Sequence, residues 1–202
     1  MRRTLMRRAV VAFAATALAA GTLVACSSDE DEHNDADVAF ASEMIPHHAQ
    51  AVHMAAMVDR RGVSPELRTL AAEMAAAQEP EIETMAGWLE EWGEDVPSVD
   101  GMPMGGMDHR GMGHRGMGPR DGGPRSMPGM MSGEDLESLA ARRGASFEQR
   151  WLTMMIEHHR GAIEMAEIEQ QEGKYAPAVE LAAEIAATQE AEIAEMEAML
   201  ER

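Results

Sequence analysis

Apolar positions fall at spacings of three and four along four stretches of the chain, and Gly- and Pro-bearing turns separate them. In the first stretch, "MIPHHAQAVHMA", a step of 100° per residue puts Met44, His47, His48, Ala51, Met54 and Ala55 on one broad face. His53 points to the opposite side. The second stretch places Leu67, Leu70, Met74, Met85 and Trp88 on one face, and Gln78 and Glu81 share it. Asp37 is placed to cap the first helix and Gly62 to end it in the left-handed conformation. Ser64 and Pro65 open a second helix that runs to about Gly93. "SFEQ" (Ser146–Gln149) reads as a capping box for a third, Gly173 ends it, and a fourth runs from about Ala176 to the C-terminus. Pro46 either interrupts the first helix or marks a later start.

The pattern repeats. Residues 40–91 match 151–202 without a gap at a constant offset of 111 residues, with about two-fifths of the positions identical. Met44, His47, His48 and Met54 correspond to Met155, His158, His159 and Met165. Gln78 and Glu81 correspond to Gln189 and Glu192. Each half is expected to form a helical hairpin, 37–93 and 144–202. A hairpin buries one stripe, so two of them stacked by pseudo-twofold symmetry give one all-α four-helix bundle.

Composition supports helix over sheet, because aromatics are 3% and Ala and Glu abound. Methionine is the anomaly, with 20 in 202 residues. Eight of them, Met102, Met104, Met107, Met112, Met117, Met127, Met130 and Met131, sit with His109 and His114 in the Gly- and Pro-rich linker between the halves (94–143). With no Leu, Ile or aromatic residue from Pro97 to Gly133, this stretch has no core to join and is expected to be poorly ordered.

The N-terminus reads as a targeting segment, a basic "MRRTLMRR" followed by a short apolar run. "LVAC" resembles the lipobox of bacterial lipoproteins. The resemblance implies cleavage after residue 25 and a lipid on Cys26, and the polar, acidic composition of 26–36 reads as a tether too charged to collapse. Loss of the four arginines in residues 1–25 takes the net charge from −19 to −23. That balance argues against nucleic acid, which needs clustered Lys and Arg, and favours attraction of cations.

Buried polar side chains need partners. The inward face leaves two readings open. In one, His–Gln and His–Glu hydrogen bonds fix the bundle's register. In the other, His47, His48, Met44, Met54, His158, His159, Met155 and Met165 ligate a metal, and Gln78, Glu81, Gln189 and Glu192 orient the imidazoles. Thioether sulfur is soft and uncharged, so it selects Cu(I) or Ag(I) over Zn, Mg or Ca. The linker methionines and histidines would form a second, faster-exchanging class of site. Imidazole ligation is expected to weaken below pH ~6.5, whereas thioethers do not titrate.

"MIPHHAQAVHMA" and "MIEHHRGAIEMA" resemble the signature of the domain-of-unknown-function 305 family. The resemblance implies a ferritin-like four-helix arrangement in a secreted or lipid-anchored bacterial protein. Some members of that family are similar to periplasmic copper-binding proteins of the CopM type. By position this implies copper ligation at His47, His48, Met54, His158, His159 and Met165.

Three functions compete. The first is an envelope-anchored Cu(I) or Ag(I) protein that sequesters, buffers or hands on the ion, with a copper chaperone or transporter as partner. The second is an envelope interaction module whose histidines are structural. The third, a ferritin-like di-metal oxidase, needs a Glu three residues before a His on each of two helices. Met44 and Met155 occupy those places. Oligomeric state, stoichiometry and the identity of the membrane are not written in the sequence.

Overall fold

The computed structural model describes residues 32–99 and 127–202. They form five helices, α1 (Asp35–Ala56), α2 (Pro65–Trp92), α3 (Gly133–Ala140), α4 (Gly144–Glu172) and α5 (Ala176–Leu200), and no strand occurs among the described residues. The four long helices make an all-α bundle of two hairpins, α1/α2 and α4/α5.

Several local expectations are corrected. Asn34, not Asp37, caps α1; its side chain accepts from the Ala36 and Asp37 amides, and Asp37 closes the capping box from N3. Pro46 lies inside α1 rather than at its start. The missing Pro46 amide costs one helical hydrogen bond, and the buried face on both sides holds the helix through it. Helix α1 ends at Ala56, before Gly62, whose φ of 74° instead turns the loop into Ser64. "SFEQ" is not a cap, since α4 starts at Gly144 and Ser146 lies within it. Trp88 is only part-buried and packs with Trp92 and Tyr175 at one end of the bundle. Ser64, with Pro65 at the first helical position, and Gly93 in the left-handed region (φ 77°) bound α2 as the sequence indicates.

Helices α1 and α4 run antiparallel and form the seam between the hairpins. Trp151 Nε1 near the start of α4 donates to the Met54 carbonyl near the end of α1 at 2.8 Å. At the opposite end, Asp37 accepts from the Lys174 and Tyr175 amides at 3.1 and 2.9 Å. Glu148, offset from Asp37 by the repeat, accepts from the Ser64 amide and hydroxyl at 2.9 and 2.6 Å. Each hairpin therefore pins the turn of the other through a carboxylate.

The apolar core has two clusters. One holds Met54, Leu67, Met74, Trp151 and Met155; the other holds Phe40, Met44, Met85, Leu89 and Met165. Between them in the sequence of α1, α2, α4 and α5 lie the buried polar residues His47, His48, Gln78, His158, His159 and Gln189.

Beside Asp37, Glu169 is 1% exposed. Gly173 leaves room for it, because a Cβ there would overlap the Glu169 carboxyl. Burial, then the neighbouring Asp37 carboxylate, raise Glu169 to about 8. The folded protein thus keeps a proton that the unfolded chain sheds above its ordinary value of 4.5, and stability is lost as pH rises from 4.5 towards 8. Glu169→Gln removes that dependence. Thermal unfolding should show the variant more stable than wild type at pH 8, by at least about 1 kcal/mol, with the gap closing near pH 4.5.

Candidate metal centre

All four doublet histidines are buried at the middle of the α1–α4 seam. The periodicity that places His47 and His48 on the inner face of α1 places His158 and His159 on that of α4, and the antiparallel crossing brings the doublets together. The His47 and His158 rings meet at 3.8 Å between centroids, tilted by 38°.

Each outer histidine is held by the second helix of its own hairpin. His48 Nε2 lies 2.7 Å from Glu81 Oε2, and His159 Nε2 lies 2.7 Å from Glu192 Oε2. Both carboxylates reach towards solvent, with side chains 22% and 15% exposed. A carboxylate only accepts, so Nε2 carries the hydrogen in both imidazoles. His47 Nε2 donates to the Pro128 carbonyl at 3.0 Å, which fixes the same tautomer there.

The other polar atoms of this layer have no partner. They are Nδ1 of His47, His48 and His159, both ring nitrogens of His158, and Oε1 of Gln78 and Gln189. Buried polar atoms almost always find a hydrogen bond, so this concentration marks a layer shaped for something other than its own hydrogen bonding. Bonds from Nε2 to Glu81, Glu192 and a carbonyl are the partners that orient imidazole ligands in metal sites.

Burial first, then the neighbouring His48 imidazole, lower His47 to about 3. Burial and then His47 push His158 well below its ordinary value. Both are neutral at pH 7, the form that ligates. The expected weakening of imidazole ligation below pH ~6.5 assumes an unperturbed histidine, and burial holds this central pair below that value.

The methionines flank the layer rather than gather at one point. Met44 and Met165 lie in one apolar cluster and Met54 and Met155 in the other, so the four candidates divide between the clusters as one from α1 and one from α4 each. Gln78, Glu81, Gln189 and Glu192 line a crevice between α2 and α5 with Ile185 and Thr188, about 10 Å³ in volume, enough for one water. Among the described residues no three His, Cys, Asp or Glu side chains stand ready to hold one ion together. His53 lies off the layer, in a groove lined by Met57, Leu136 and Ala140. Of the other candidates, Met102, Met104, Met107, Met112, Met117, His109, His114 and Cys26 lie outside the described residues. No described helix is long and apolar enough to cross a membrane.

The sequence reading missed the contribution of residues 127–132. Assigned there to an unordered linker, they lie against the histidine layer, with Pro128 on His47 and Met131 on Gln50. One sequence signal marks the place. Position 50 is Gln and its repeat counterpart, position 161, is Gly, a difference close to the matched doublets.

Comparison with known proteins gives a consistent outcome. A DUF305 protein from Streptomyces coelicolor superposes with a TM-score of 0.64 at 30% identity, over 80% of this chain and 89% of that one. A DUF305 fragment from Deinococcus radiodurans gives 0.67 at 27% identity, over 84% and 97%. CopM in its Cu(II)-bound form gives 0.62 at 28% identity, over 82% and 95%, and CopM has also been solved with Cu(I) and with Ag bound. No match is found among functionally curated proteins. Residues 37–200 match the family described as domain of unknown function (DUF305), and the chain belongs to that family.

Proposed function

We propose that this protein is an extracytoplasmic metal-binding lipoprotein that takes up Cu(I) or Ag(I) at its duplicated histidine layer, to sequester, buffer or deliver the ion. The observation that carries the reading is the set of five imidazole nitrogens with no hydrogen-bond partner at the buried crossing of α1 and α4. Neutral imidazole and thioether are the donors on hand, and that set favours soft monovalent ions. Such ions accept few ligands, so the absence of a three-residue His/Cys/Asp/Glu group does not count against them. The metal-bound forms of CopM, a structural neighbour, support the same reading. His47, His48, His158 and His159 are the ligand candidates, and Met44, Met54, Met155 and Met165 are the thioethers within the flanking clusters. Cys26 would carry the lipid anchor, and a copper chaperone or transporter would be the protein partner.

The hydrogen bonds of His48 to Glu81 and of His159 to Glu192 favour a second reading, in which the histidines only set the register of the bundle. It accounts for the outer pair and leaves His158 unexplained. A di-metal oxidase has less to stand on, since each of Glu81 and Glu192 is engaged with a single imidazole. Metal analysis of protein purified without a His-tag distinguishes the three. Copper supports the proposal, iron the oxidase, and no metal even after exposure to Cu(I) the register reading.

A further inference from the structure

Residues 127–132 make a strap across the histidine layer, held by backbone hydrogen bonds and by the Met131 side chain, which packs against the first apolar cluster. The Pro128 carbonyl accepts from His47 Nε2 at 3.0 Å. The Met131 amide donates to Gln50 Oε1 at 2.7 Å, and the Met131 carbonyl accepts from Gln50 Nε2 at 2.9 Å. Gln50 is a buried side chain whose two functional atoms are both spent on this one residue. The strap turns at Gly129, with φ 74°, and passes so close to α4 that a Cβ there would lie 2.5 Å from the Glu157 carbonyl oxygen and 2.9 Å from that of His158. It rests on Gly161. The three atoms nearest to a Cβ at that position all belong to the strap, and the Pro128 carbonyl would be overlapped. Ser132 then caps α3, which Leu139 buries in the core and Asp135 ties to Arg150 at 2.9 Å. The strap is therefore anchored at its C-terminal end and held over the layer by three hydrogen bonds and one glycine-sized gap.

This is where the duplication breaks down. Gln50 grips the strap and its counterpart Gly161 seats it, so one strap covers the crossing from one side. The strap's bond to His47 also explains why His47 Nε2 is satisfied and His158, its partner by the repeat, is satisfied at neither nitrogen.

We infer that the Met127–Ser132 strap is the port of the histidine layer, and that its release from Gln50 and Gly161 is the step that lets a soft cation reach or leave the buried imidazoles. The inference rests on the proposed metal function. The strap bears three thioethers, Met127, Met130 and Met131, all part-buried, on the segment that has to move. Three neutral hydrogen bonds and the packing of one part-buried methionine, Met131, hold it, enough to keep the open form a minor state and too little to make opening slow on the scale of global unfolding.

Gly161→Ala tests this without altering a ligand candidate or a hydrogen-bonding side chain. Alanine is the better helix former, so α4 is not weakened, and the added methyl takes the place of the strap. Gln50→Ala removes the grip instead. Two readouts apply to the full chain: hydrogen exchange of the Met130 and Met131 amides without metal, and stopped-flow transfer of Cu(I) from the protein to a chromophoric chelator. Both variants are expected to lose strap protection and to release Cu(I) at least tenfold faster than wild type. Unchanged protection in both variants overturns the seat described here, and the port with it. Lost protection with unchanged release overturns the port alone. Wild-type protein that binds no Cu(I) overturns the metal function itself.

Discussion

Replacing His158 with leucine is expected to stabilise the metal-free protein by about 1–2 kcal/mol while cutting Cu(I) affinity at least tenfold. His158 is 1% exposed and neither ring nitrogen has a hydrogen-bond partner. The folded protein therefore bears the desolvation cost of a polar ring with no hydrogen bond in return. Leucine is of similar bulk and sits between two apolar clusters, so the substitution removes the cost without a large cavity. His47 is a poorer choice for this experiment, because its loss would leave the Pro128 carbonyl without its donor. Opposite movement of stability and affinity is the mark of a residue kept for function. If His158→Leu destabilises the apo protein by 2 kcal/mol or more, the histidine is part of the packing and the register reading gains.

The second large effect is in acid. The folded values of His47 and His158 lie below the ordinary histidine value of 6.5, His47 at about 3. Below pH 6.5 the unfolded chain therefore takes up protons that the folded chain refuses, and stability falls as pH drops. Each imidazole contributes about 1.4 kcal/mol per pH unit, so the two together remove about 4 kcal/mol by pH 5. The loss slows only as pH approaches the folded value of His47 near 3. That is a large part of the stability of an ordinary domain. Glu169 works in the opposite sense over this range, so the test belongs in the Glu169→Gln background. There the melting temperature of the metal-free protein should drop by roughly 10 °C between pH 7 and pH 5, and about half of that slope should vanish on adding His158→Leu. A flat melting temperature in that background contradicts the neutral, buried pair.

How much of this was legible beforehand differs by element. The hairpins and the inward histidines could be read because repetition and helical period are local and redundant. Two copies of the doublet at one offset leave little freedom in which face packs. Gln78 and Gln189 followed from the same period and are buried, and Glu81 and Glu192 reach the outer histidines. The strap could not be read that way. Its order comes from three bonds to side chains far off in sequence and from two close backbone approaches at Gly129 and Gly161, none of which leaves a periodic trace. "MPGMM" looks like spacer until the chain has folded around it. The depressed values of His47 and His158 were equally hidden, because they depend on how completely the second hairpin excludes water. The end signals misled where two candidates competed. Asn34 and Asp37 are both good caps, and the box they form together assigns the cap to Asn34.

The most direct test of the central claim is a competition titration of Cu(I) against a chromophoric chelator, run from pH 7.5 to pH 5 on wild type and on the His47/His48/His158/His159→Ala variant, with circular dichroism to check the fold of both. The account predicts that the variant loses at least one tight Cu(I) equivalent that wild type holds. It also predicts that this equivalent persists at pH 5 for as long as the bundle stays folded. A folded variant that keeps the full wild-type stoichiometry and affinity would contradict it.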